Sequence, residues 1–214
     1  LVSGRPFLNV ERTKELLSES RDPIRIEPLL SSVGDPSVKC EFRVWVEPRV
    51  RRQYVIVADP SEGVIDGDPC AACVYDRENG EHVASLHGLW RTHEFAAVLE
   101  RVGREYNTAL LVVERISHGH AVLNALLRLN IRSAIGEEQS DDDKPYPNVF
   151  YDEDEKAGWK TGQVQRATAC EAFENAHRTK EWTTPDRDAL DEMQKFVVGP
   201  TGKPEAAYGE DRKS

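Results

Sequence analysis

Two acidic side chains close two apolar runs in this chain. Tyr54-Val55-Ile56-Val57-Ala58 ends in Asp59, and Ala109-Leu110-Leu111-Val112-Val113 ends in Glu114. Carboxylate oxygens are hard donors that suit Mg²⁺ or Mn²⁺. Both runs are short, rich in β-branched residues and bounded by turn residues, the pattern of buried strands. A strand that ends in a carboxylate lifts it to the rim of its sheet. If the two strands are neighbours, Asp59 and Glu114 can share a divalent metal. Either acid alone reads as a strand cap facing water; the pair, with the connection between them, favours the chemical reading.

The elements that must position the pair follow in order. Phe42 to Val46 alternates and is expected to be an edge strand, stopped by Glu47-Pro48. Tyr54–Asp59 is the first core strand. After a Gly- and Asp-rich turn, Cys70 to Tyr75 is the second; Asp76 to Gly80 is a hairpin turn with Asn79-Gly80, and Glu81 to Leu89 is the third. Thr92 is a predicted N-cap, with Phe95, Val98, Leu99, Val102 and Tyr106 at helical spacing. The strand ending in Glu114 comes next, then a helix from about Gly119 to Leu129 and a strand over Ile131 to Ile135. A helix between the third strand and the Glu114 strand must carry the chain back across the sheet. That sets the Glu114 strand parallel to the Asp59 strand, with both acids at one C-terminal rim, where open α/β sheets place their sites.

The flanks are less regular. Residues 1 to about 38 are punctuated by Pro6, Pro23, Pro28 and Pro36, with only Val10 to Glu19 helical in pattern. Residues 1–40 are expected to be a linker or the tail of a preceding domain, with the main domain over 41–214. Because the chain opens at Leu1 without a methionine, it reads as an excised fragment. Glu137 to Lys144 is a charge run expected to be a solvated loop. Helices are expected from about Gln163 to Arg178 and from Thr184-Pro185 onward, the latter burying Leu190, Met193 and Phe196. Gly199 to Gly202 is a turn.

The formal net charge is −10 over 214 residues, so the average field does not attract nucleic acid. If the chain acts on DNA, local basic patches or bound metal must supply the grip. No stretch is long and apolar enough to span a bilayer, and the start lacks a signal-peptide pattern. Cys70 and Cys73 have the spacing of half a zinc site, but they sit within an expected strand, and Cys40 and Cys170 are scattered. Buried, reduced cysteines of a cytoplasmic protein are the expectation.

Tyr54 to Gly63, followed by Gly67-Asp68, resembles the opening of the nuclease domain of bacteriophage terminase large subunits. Leu110 to Glu114 is similar to that family's second acidic motif. Gly158-Trp159-Lys160-Thr161, Leu190 to Phe196 and Gly202 to Ala206 stand where the family has comparable segments. The resemblance runs from about Trp45 to the end and rests on the order of the motifs. It implies an α/β, ribonuclease-H-like fold, with a mixed sheet of five or more strands flanked by helices. It also implies a metal-dependent endonuclease that cuts concatemeric viral DNA during genome packaging. Asp59 then stands as the first metal-binding aspartate and Glu114 as the second acid, holding two Mg²⁺ or Mn²⁺ ions. Asp68 matches an acid after the glycine turn and is expected to shape the hairpin. The third acid lies beyond Ser214, the preferred reading, or is Asp211. Implied partners are double-stranded DNA, an N-terminal ATPase domain, a portal protein and a small terminase subunit, in the cytoplasm of the infected host.

Lys156, Lys160 and Arg166 are candidates for phosphate contacts. His118 and His120 stand near the rim or simply start a helix. Two other readings remain open. One is a junction resolvase or transposase-like nuclease of the same superfold. The other is a non-catalytic domain whose acidic surface docks a basic partner.

Overall fold

The computed structural model describes residues 5–128, 145–200 and 202–207. The expected strand over Ile131 to Ile135, the charge run up to Lys144 and Asp211 lie outside those residues. The chain divides into two compact units. One comprises Ile24–Glu78 and Val83–Thr161; the other comprises Leu1–Pro23, Asn79–His82 and Gly162–Ser214.

The first unit is built on a six-stranded mixed sheet. Its strands are β2 (Arg25–Pro28), β3 (Glu41–Val44), β4 (Tyr54–Asp59), β5 (Cys70–Asp76), β6 (His82–Gly88) and β7 (Leu110–Val113), in the order β2-β3-β6-β5-β4-β7. β4 runs antiparallel to β5 and parallel to β7, with Ala58 opposite Val113. The expected crossover is present: α2 (Thr92–Glu105) joins β6 to β7. It buries Phe95, Leu99 and Val102, with Tyr106 just beyond, as the helical spacing predicts. In α3 (Gly119–Leu126), Val122, Leu123 and Leu126 are buried. These side chains pack with Phe42, Val44, Tyr54, Ile56, Ala58, Val74, Leu111 and Val113 in one apolar core. Each large aliphatic or aromatic side chain so buried stabilises the fold by about 1.5–3 kcal/mol.

One expectation needs correction here. Phe42 to Val46 is not an edge strand, because β2 pairs with its outer side and β3 is interior. Within residues 1–40, Arg25–Pro28 supplies β2 to this sheet and Val10–Glu19 supplies a helix to the second unit. Of the prolines that suggested irregularity, Pro23 precedes β2 and Pro28 ends it, where it is tolerated because only an edge strand can lack a ladder donor.

The second unit contains α1 (Val10–Glu19), α4 (Gln163–Thr179), α5 (Arg187–Gln194) and a small antiparallel sheet. That sheet orders β1 (Arg5–Pro6), β8 (Phe196–Val198) and β9 (Pro204–Ala206) as β1-β8-β9. Its apolar core is Leu16, Trp182 and Leu190, with Leu17, Phe173, Ala176 and Met193 around it. Buried polar side chains fill the space between. His177 Nε2 lies 3.2 Å from the Asn9 carbonyl and 3.1 Å from Thr13 Oγ1. The Asn79–His82 tip joins this unit, with His82 N–H donating to the Thr183 carbonyl at 2.8 Å and His82 Nδ1 2.7 Å from Thr184 Oγ1.

That last contact explains another difference. Thr184 was expected to cap the last helix, but its hydroxyl is engaged by His82. Asp186 is the N-cap instead, accepting from the backbone of Asp188 and Ala189. Phe196, expected on the buried face of that helix, begins β8 and meets Phe7 edge-on at 5.4 Å. Among the described residues no helix is long and apolar enough to cross a membrane.

Candidate active site at the sheet rim

Asp59 is the last residue of β4, and Glu114 directly follows β7. The parallel register brings both to the same rim, and the Glu114 N–H donates to the Ala58 carbonyl at 2.9 Å. Tyr54, Ile56 and Ala58 point into the helix-covered core, so Val55, Val57 and Asp59 share the opposite face of the sheet. Val57 is 47% exposed there, which leaves this face open to water.

The two carboxyl groups interact directly. Asp59 is pushed up to about 6, first by partial burial, then by a hydrogen bond and charge repulsion from Glu114, and last by the charge of Asp68. Asp59 keeps solvent on one side while the surrounding protein displaces water from the rest. Asp68 is an exposed loop residue, yet its charge reaches the pair as well as belonging to the turn before β5.

Glycines let the backbone close around the pair. A Cβ at Gly119 would lie 1.8 Å from the Glu114 carbonyl oxygen, so the start of α3 approaches Glu114 only because residue 119 has no side chain. Gly63, in the loop after Asp59, has φ +65°, and a Cβ there would lie 2.1 Å from the Trp90 carbonyl oxygen.

An irregular hairpin extends the rim beyond β7. Leu111 bridges Val149 in parallel, Tyr151 bridges Ala157, and Glu114 bridges Trp159 in parallel. The Trp159 N–H donates to the Val113 carbonyl at 2.9 Å, and the Arg115 N–H donates to the Trp159 carbonyl at 2.7 Å. Arg115 is buried and its guanidinium holds Asp152 at 2.5 Å. Backbone donation from Lys156 together with that guanidinium keeps Asp152 below the usual carboxylate range.

The other candidates separate. Lys160 is exposed and follows Trp159, while Lys156 lies in the 152–156 turn with its ammonium 3.7 Å from Asp154. Arg166 belongs to α4 in the second unit, where it lines a cleft of about 600 Å³ that contains neither Asp59 nor Glu114. His118 caps α3 and His120 is exposed on its first turn. Cys70 and Cys73 are an odd number of residues apart on β5 and so project to opposite faces; Cys70 is buried against Ser61, and none of the four cysteines is disulfide-bonded.

The donors at the rim are carboxylate oxygens, the chemistry of a hard divalent cation. Two carboxyls that repel one another mark a place where such a cation would neutralise charge. Among the described residues no three acidic, histidine or cysteine side chains converge closely enough to hold a metal alone. Sequence reading named Asp59 and Glu114 from their strands, but it missed the pairing of Trp159 with Glu114. That pairing joins segments 45 residues apart through main-chain bonds, and its only local trace is the Gly158-Trp159 step.

No protein-family model and no curated protein matches the sequence. Solved structures do match. The large terminase nuclease of thermophilic phage G20c with bound cobalt aligns with a TM-score of 0.61 and 14% identity, over 99% of this chain and 92% of that one. The same nuclease with bound magnesium gives 0.59 and 14%, over 98% and 91%. The Thermus phage P74-26 large terminase nuclease domain gives 0.51 and 16%, over 92% and 86%. At this identity the likeness carries the fold alone. This chain thus has the ribonuclease-H-like fold of phage large terminase nuclease domains.

Proposed function

We propose that this chain is a metal-dependent DNA endonuclease that cuts viral DNA during genome packaging. The observation that carries the reading is the Asp59–Glu114 pair, two interacting carboxyls at one rim of adjacent parallel strands. Metal-bound nucleases of the same fold support it. Asp59 and Glu114 would hold two Mg²⁺ or Mn²⁺ ions, with a third acid completing the set. Such ions, when bound, polarise the phosphodiester and offset charge on the attacking and leaving oxygens. The protein's own part is to fix the carboxylates. β4 and β7 set their spacing, and Gly119 lets α3 close behind Glu114.

On this reading the chain works on double-stranded DNA in the host cytoplasm, beside an ATPase domain, a portal protein and a small terminase subunit. The test is plasmid cleavage in Mn²⁺, Mg²⁺ or EDTA. Asp59→Ala and Glu114→Ala should each abolish metal-dependent cutting while circular dichroism and melting stay native. Undiminished cutting by both variants would sink the reading.

A further inference from the structure

The Glu114–Trp159 bridge puts an aromatic ring beside the acid pair. Partners in a parallel bridge project to the same face. Asp59, Glu114 and Trp159 therefore form a row across three adjacent strands on the open face, spaced by about 4.8 Å per strand. Trp159 is half-buried. Among the described residues its ring stacks on no aromatic side chain, and its indole N–H has no hydrogen-bond partner. Other tryptophans are built into the fold: Trp90 donates to the Leu30 carbonyl and stacks on Phe95, and Trp182 packs against Phe173 and His177.

The backbone that carries Trp159 is firmly held. A Cβ at Gly158, which has φ +81°, would lie 2.5 Å from Leu123 Cδ1 and 2.8 Å from the Val113 carbonyl oxygen. The buried Arg115 clamps Asp152, whose Oδ1 also accepts from the backbone of Lys156 at 2.9 Å and Asp154 at 3.0 Å. A half-exposed indole on a firmly held backbone, in line with two carboxylates, is a platform for a flat apolar ligand. Nucleobases supply such faces, and stacking tolerates any sequence.

We infer that Trp159 stacks on an unpaired nucleobase next to the acid pair, so that the site takes single-stranded or locally opened DNA. The inference rests on the nuclease reading for its substrate class. The aromatic also meets a difficulty posed by the acidic chain, since stacking attracts DNA without positive charge.

The test is equilibrium binding in Ca²⁺, by fluorescence anisotropy, of oligothymidylate and of the same oligomer made of abasic residues. Trp159→Ala should weaken oligothymidylate binding by about 5- to 150-fold. Trp159→Phe should restore most of it. On the abasic oligomer the wild type and Trp159→Ala should bind alike, and the salt dependence should not change, because no charge is removed. Equal losses on both oligomers would mark Trp159 as merely structural and overturn the inference. So would unchanged binding of oligothymidylate by Trp159→Ala, or no binding of it by the wild type. If the inference fails while Asp59→Ala still abolishes plasmid cutting, the nuclease reading stands. If the stacking signature appears while Asp59→Ala and Glu114→Ala both cut normally, the assignment of cutting to the acid pair falls and a binding site for unpaired DNA remains.

Discussion

The two units of this chain hold themselves together by different means. The sheet unit buries a broad apolar core and keeps the repelling Asp59–Glu114 pair at an exposed rim. The second unit has a small apolar cluster of Leu16, Trp182 and Leu190 and places polar groups inside, with His177 fully buried beside Arg12 and Thr13. The contrast teaches where each can tolerate damage. An apolar core of many members loses one contact gradually, whereas a small cluster depends more on each member.

Leu190→Ala tests this most severely. It should cost about 3 kcal/mol and open α4 and α5 to protease while the sheet unit stays protected. Simultaneous loss of protection in both units would show that they unfold as one and would erase the distinction.

Gly119→Ala probes the sheet unit where it is tightest. The new methyl group meets the Glu114 carbonyl, so stability should fall by about 1–2 kcal/mol. The shifted Glu114 should also release Asp59 from its raised pKa, read by carbon-detected titration. An unchanged Asp59 titration would show that the pairing does not depend on the α3 contact.

The smallest effects are the pH responses, and they run in opposite directions. Asp59 binds its proton more tightly in the folded state, up to about 6, so its contribution to stability is greatest at low pH and is lost as pH rises through that value. Asp59→Asn should therefore raise the melting temperature by about 2–4 °C at pH 8 in EDTA, after allowance for solvent screening, and by nothing at pH 4. His177 is held below its usual value by burial, and the neighbouring Arg12 guanidinium acts in the same direction. Its Nδ1 is buried without a partner among the described residues, while Nε2 donates to Asn9. Its contribution is thus present above about pH 6.5 and is lost on acidification below it. Hydrogen exchange at pH 5.5 against pH 7.5 should show α1 and α4 loosening on acidification while β4 and β7 hold. The opposite pattern would reverse the assignment.

The sheet and its acid pair were readable because their signals are local. Tyr54 to Asp59 and Leu110 to Glu114 each carry their own burial pattern and end in their own carboxylate, and α2 repeats its apolar residues at helical spacing. What was hidden depends on partners distant in sequence. β2 is four residues ending in proline and becomes a strand only because β3 offers a ladder. Thr184 and Asp186 are both good caps, and His82 decides between them. Phe196 continues the spacing of Leu190 and Met193, yet pairing with β1 and β9 draws it into a strand. Trp159 has no local mark of its nearness to Glu114.

The main-chain ladder between β4 and β7 acts as a ruler for the acid pair. The spacing between adjacent strands is fixed at about 4.8 Å by hydrogen bonding, so the gap between the two carboxyls cannot be adjusted in small increments by moving backbone. The remaining freedom is side-chain length, one methylene at a time, and the chain uses the short acid on β4 and the long one after β7. Exchanging aspartate for glutamate at this rim would alter reach rather than charge.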